Sequence, residues 1–246
     1  MTDDLVVLQA RLRQLERQVR WQRRIGATVA LGLAGLLFAA FQAAAPKAHF
    51  TEVDVERLNV VEPDGQPVMS IANTARMPEP LIAGKTIKSG RTGPGIIFFD
   101  GKGWEVGGLT YSTTQRKDGT FAASGHLSFD QYRNDQVVFL SYQDDGKHKR
   151  SGLYIVDRAR TPTIDEIVRL DEAAKNSPEA QKAVEEKLRG AAAQRIFVGS
   201  DDETAMVRMR DRAGRDRLRM VVGPDGAPKL EFLDEAGKVV QVLPKQ

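Results

Sequence analysis

Glu105, Asp130 and Asp135 are the carboxylates best placed for chemistry in this sequence. Trp104 precedes the first, and Tyr132 and Arg133 fall between the other two. Two carboxyl groups brought together can divide the work of acid and base, and an aromatic ring beside them offers a flat surface to a sugar ring. The chemistry these residues suggest is therefore polysaccharide binding, or carbohydrate processing by paired carboxylates, with Trp104 and Tyr132 as the aromatic surface. It requires a fold that carries residue 105 to residues 130–135.

Other chemistries find less support. His49, His126 and His148 have no partners at metal-ligand spacing, and the chain has no cysteine. Neither a G-x-S-x-G elbow nor a phosphate-binding P-loop is present. His126, near Asp130, reads as a hydrogen-bonded structural histidine, and Ser128 beside it does not make a triad. Asp144-Asp145-Gly146 and Asp201-Asp202-Glu203 lack the EF-hand register and read as turns. No cofactor and no metal is expected.

A second group is cationic. Arg208, Arg210, Arg217 and Arg219 alternate with apolar residues, so they could form a positive ladder for an anionic partner. The competing reading is internal pairing with Glu203, Asp211, Asp216 and Glu231. The charge count favours pairing, because residues 48–246 carry 29 Lys/Arg against 30 Asp/Glu. Residues 1–47 hold seven Lys/Arg and three Asp/Glu, so the basic excess is local. Nucleic acid is not an expected partner, since no recognition helix or zinc pattern is present.

The elements that must position these groups begin with an arm and an apolar stretch. Leu5, Leu8, Leu12, Leu15 and Val19 follow steps of three and four, the seam of either a lipid-lying amphipathic helix or a coiled coil that makes a homo-oligomer. Residues 25–45 carry no charge and are long enough, as a helix, to cross hydrocarbon. Arg11, Arg13, Arg17, Arg20, Arg23 and Arg24 precede them. Together they predict an uncleaved signal anchor rather than a cleaved signal peptide. The chain would then be a single-pass protein of the bacterial inner membrane, its N-terminus cytoplasmic and its C-terminal region periplasmic or extracellular.

Beyond Pro46 the pattern alternates with period two and is punctuated by turn residues. Gly95–Asp100, Gly125–Asp130 and Gly152–Asp157 share a glycine, alternating apolar residues and a closing aspartate, which reads as a degenerate repeat. Thr163 with Glu166, then Ser177-Pro178, signal two helix starts. Gly214, Gly226 and Gly237 then mark strands of about a dozen residues' spacing.

The expected fold class is mainly β: a short-strand meander or β-solenoid-like repeats with a helical insertion, preceded by a transmembrane helix. The domain boundaries fall at 1–24 for the arm, 25–45 for the anchor, 46–161 for a β-rich region, 162–194 for the insertion and 195–246 for the last strands.

The runs FTEVDVERLNVVEPDG (50–65), GGLTYS (107–112) and GHLSFDQYRNDQVVFLSYQDDG (125–146), continued by Ser151–Arg158, resemble a group of uncharacterised bacterial membrane-anchored proteins. The resemblance implies a cell-envelope setting and supplies no activity or site residue. The expected function is a membrane-anchored envelope scaffold or interaction protein without its own catalysis, whose partner is an envelope protein or anionic polymer. The alternative is the envelope polysaccharide-binding or carbohydrate-processing enzyme outlined above.

Overall fold

The computed structural model describes Arg11, Arg13, Leu15 and residues 17–33, 48–82, 85–88, 90, 91 and 93–244. The chain divides into two units, Met1–Val53 and Asp54–Gln246. In the first, residues 17–33 are helical (α1).

Among the described residues no helix is long and apolar enough to cross a membrane. Within the described part of α1, Arg17, Arg20, Arg23 and Arg24 stand in the first half and residues 25–33 carry no charge. Those nine described residues, at about 1.5 Å each, cover less than half of a hydrocarbon core of roughly 30 Å. Residues 34–45 of the apolar stretch lie outside the described residues. The transmembrane signal anchor, the single-pass inner-membrane placement with cytoplasmic and periplasmic halves, and the membrane as a partner are corrected accordingly.

The homo-oligomer expected through the arm loses its membrane setting. Leu5, Leu8 and Leu12 lie outside the described residues, and Leu15 and Val19 are exposed. Fewer than three heptads are marginal without a tether that concentrates them.

The second unit is one open antiparallel sheet of 12 strands, in the order β1-β2-β5-β6-β7-β8-β9-β10-β11-β12-β13-β14. These are β1 (Arg57–Val61), β2 (Pro67–Ala72), β5 (Gly95–Phe99), β6 (Glu105–Gln115), β7 (Phe121–Asp130), β8 (Gln136–Asp144) and β9 (Lys149–Arg158). The sheet continues with β10 (Ala192–Asp201), β11 (Thr204–Arg210), β12 (Asp216–Val222), β13 (Pro228–Leu233) and β14 (Val239–Leu243). A two-stranded ribbon, β3 (Leu81–Ile82) and β4 (Lys85–Thr86), is inserted after β2. This corrects the solenoid-like reading. Each large strand pairs antiparallel with its chain neighbour, so the chain folds back at every turn, and among the described residues β1 and β14 are the edges of the sheet.

The turns explain that folding back. Asp100, Asp118, Asp211 and Asp234 each accept hydrogen bonds from backbone amides of their own turn. Gly103, Gly119, Gly214 and Gly237 then take positive φ, where a side chain would be strained.

Between β9 and β10 the chain forms α2 (Ile164–Ala174) and α3 (Pro178–Leu188). Glu166 Oε2 accepts Thr163 N at 2.7 Å, and Ser177 Oγ accepts Ala180 N at 3.2 Å, which satisfies amides at both helix starts.

The two faces of the sheet differ. One row runs Ser70, Ile97, Gly108, Ser128, Phe139, Tyr154, Phe197, Arg208, Arg219 and Glu231 from strand to strand. Ser70 and Phe197 are fully buried there, and Ile97 and Ser128 nearly so. Phe139 stacks on Tyr154 at 4.5 Å, Tyr154 meets Phe197 at 4.9 Å, and the Arg150 guanidinium lies 4.7 Å from the Phe197 ring centre.

The opposite face carries an unbroken apolar ladder. Its first third is Leu58, Ile71, Ile96 and Leu109, its centre Leu127, Leu140 and Leu153, and its last part Val198, Val207, Met220, Leu230 and Leu243. Leu58, Leu140 and Met220 are about half exposed, at 49%, 51% and 51%.

Candidate functional site

A cleft of about 230 Å³ opens where β6 starts, β7 ends and α2 begins. It is lined by Trp104, Glu105, Asp130, Arg133 and Asp135, together with Arg91, Asn134 and Ile164. Antiparallel pairing carries these positions together. The β6–β7 register sets Gly107 opposite Phe129, and the β7–β8 register sets Asp130 opposite Gln136.

The turn between β7 and β8 is held by side chains. Arg133 adopts φ 52°, a left-handed conformation uncommon outside glycine. Its guanidinium lies 5.1 Å from the Trp104 ring centre and donates to both carboxylate oxygens of Asp165 at 3.0 Å. Asn134 donates to the Ala159 carbonyl at 3.0 Å. The Ile164 amide donates to the Arg133 carbonyl at 2.9 Å, which locks the start of α2 onto the turn.

Two of the three carboxylates are neutralised in place. Glu105 accepts from Arg91 through both oxygens, and Arg91 also donates to the Pro78 carbonyl at 2.7 Å. Asp135 accepts from Arg158 at 2.6 Å, and Arg158 also donates to the Gln136 carbonyl at 2.7 Å.

Asp130 differs. Its Oδ1 is buried without a hydrogen-bond partner among the described residues. Burial, then repulsion from Asp135 and Glu105, pushes its carboxyl up to about 7; Arg158 and Arg91 pull the other way but do not prevail. Asp130 therefore holds its proton well above the usual carboxylate range and releases it as pH rises through about 7. Of the closing aspartates at positions 100, 130 and 157, only Asp100 accepts amides of its own turn, while Asp157 pairs with Arg195.

The other candidate residues lie elsewhere. Tyr132 is 70% exposed and does not line the cleft, so it does not form one surface with Trp104. Arg208 and Arg219 are direct cross-strand neighbours. Arg208 and Arg210 pair with Asp216, and Arg219 with Glu231, at 3.5, 2.7 and 2.8 Å. Arg217 is half-buried in the bulge of β12 opposite β11.

His126 packs against the Phe139 ring at 5.1 Å, and its Nε2 is buried with no hydrogen-bond partner among the described residues. Asp145 accepts amides of its own β8–β9 turn, and Asp202, in the β10–β11 turn, accepts the Lys149 amide at the start of β9. Among the described residues no group of three or more potential ligands could hold a metal ion.

Arg91, Arg158 and Asn134 carried no signal in the sequence. Arg91 sits in an irregular Gly/Pro-rich stretch, and Arg158 ends a strand 23 residues beyond its partner.

No protein-family model, curated protein or solved structure matches the chain. The resemblance of residues 50–65, 107–112 and 125–146 to bacterial membrane-anchored proteins is therefore not upheld. The envelope-scaffold function rested on that resemblance and on the anchor, and it is corrected with them. What stands is a β-rich domain with Arg–Asp pairs and an aromatic cluster, in keeping with an interaction or binding domain.

Proposed function

We propose that this chain is a ligand-binding domain whose cleft takes a hydroxyl-rich ligand of the carbohydrate class. One observation carries the reading: Asp130 presents a buried, unpartnered carboxyl oxygen among carboxylates that are otherwise held by arginines. A carboxyl that keeps its proton can donate one hydrogen bond and accept another, which suits a sugar hydroxyl that does both. The Arg91–Glu105 and Arg158–Asp135 pairs add fixed donors and acceptors around it. Trp104 supplies an apolar wall. At about 230 Å³ the cleft is smaller than the roughly 300–1,000 Å³ that suits a drug-sized ligand, so one sugar ring fits it better than a length of polymer.

Binding is favoured over turnover. Glycosyl transfer needs a second carboxylate as base or nucleophile, and Glu105 and Asp135 are both neutralised by arginine.

Titration calorimetry against a panel of neutral mono- and disaccharides tests this. Affinity is expected to fall as pH rises through about 7, the value near which Asp130 loses its proton. Asp130→Ala should weaken binding at least tenfold, and Asp130→Asn should bind without the pH dependence. If no member of the panel binds, or if Asp130→Ala binds like the parent, the reading fails.

A further inference from the structure

We infer that the apolar face of the 12-stranded sheet is a docking surface for a second copy of this chain. The inference is independent of the cleft.

Two ladders of side chains cross this face. The first, from Leu58 through Leu140 to Leu243, is apolar at every strand. The second runs from Val60 through Phe129 and Met209 to Gln241, with Gly107 and Gln241 its only non-aliphatic, non-aromatic members. Phe98 and Phe129 stack across Gly107, with ring centres 6.4 Å apart, so even the glycine position is filled from both sides.

This arrangement inverts the usual one. The face bearing serines, arginines and Glu231 holds the fully buried Phe197 and Ser70, while the apolar face is open. Among the described residues only seven apolar side chains are buried, too few for a unit spanning Asp54–Gln246. Exposed apolar patches on monomers rarely exceed a few hundred Å².

The size and chemistry of the face point to a second copy. At the usual spacing of about 4.8 Å, twelve strands span about 58 Å. Two ladders make a band about 14 Å wide, or about 800 Å² per chain, which equals one side of a standard stable interface. The band has no charged side chain that would select a different partner or a single register. A sheet packed on its own copy gives two apolar faces at the usual sandwich separation of about 10 Å. Such a two-fold arrangement is closed and buries both faces at once.

Sedimentation of the full chain tests this. The parent is expected to be a dimer. Leu140→Lys and Met220→Lys are each expected to raise its dissociation constant at least tenfold while the far-UV β signal is kept. A readout that does not depend on those variants folding comes from Leu140→Cys in a chain without its own cysteine. A two-fold packing of the faces sets the central strand β8 against β8 or β9 of the partner. A flexible bismaleimide reagent longer than the sandwich separation should therefore give a covalent dimer. A monomeric parent overturns the inference, whether it copurifies with lipid or shields position 140 with its own N-terminal segment. So does a dimer that ignores both lysines and does not cross-link at position 140.

Discussion

Phe197 lies across Gly152. A Cβ added at residue 152 would stand 2.4 Å from Cε2 of the ring and 2.6 Å from the Val198 carbonyl oxygen. The ring is fully buried, and it occupies the space that the missing side chain leaves. Gly152→Ala must displace the ring or part the strands. It is expected to destabilise the domain by about 1–3 kcal/mol, the usual range for overpacking. Urea unfolding monitored by tyrosine and tryptophan fluorescence measures this directly.

Phe197→Ala removes the same contact from the other side. Tyr154 loses its neighbour and Arg150 loses the ring beneath its guanidinium. A loss of about 3–5 kcal/mol is expected, as for other buried phenylalanines. A loss under about 1 kcal/mol would show that Tyr154 and Arg150 close the gap.

Asp130 gives stability an opposite pH slope to most carboxylates. Its folded pKa lies near 7, above the unfolded value of 3.8, so between those values the native state holds a proton the unfolded chain has released. Stability therefore falls as pH rises across that window. Solvent reaches one side of the group, so the contribution is on the order of 1–2 kcal/mol rather than the full shift. Asp130→Asn should flatten the slope and raise stability at pH 8. Melting temperatures of both proteins at pH 5 and pH 8 provide the check.

Asp165 behaves in the other direction. The Thr163 hydroxyl, followed by Arg133, holds its carboxyl below the usual carboxylate range. Its stabilising contribution is present above the unfolded carboxylate pKa and is lost as pH falls through the lowered folded value. Asp165 is 4% exposed and accepts bonds from Thr163, Arg133 and Arg169. Asp165→Ala should lower stability at pH 7 by about 1–3 kcal/mol, with a smaller loss near pH 2. The same change should loosen the β7–β8 turn, which faster amide exchange at Arg133–Asp135 would report.

Period-two alternation and Asp-x-x-Gly turns made strands and hairpins legible, because both signals are local and repeat along the chain. The cleft was partly legible for the same reason. Asp130, Arg133 and Asp135 occupy one turn, and Trp104-Glu105 begins the strand that pairs beside it. Arg91 and Arg158 were hidden, since their partners lie 14 and 23 residues away and meet only across the folded strands. Tyr132 stands apart from the cleft because adjacency to Arg133 in a turn does not mean a shared direction.

The sequence by itself determined that strands form, where they turn and which residues share a face, for backbone geometry alternates side chains whatever surrounds them. Only the tertiary structure decided that the sheet stays open rather than winding into a solenoid, and that the face bearing Phe197 and its arginines is the buried one. It also decided that Asp130 alone among the cleft carboxylates is left unpaired. Each of these depends on contacts between residues distant in the chain, and no local periodicity encodes them.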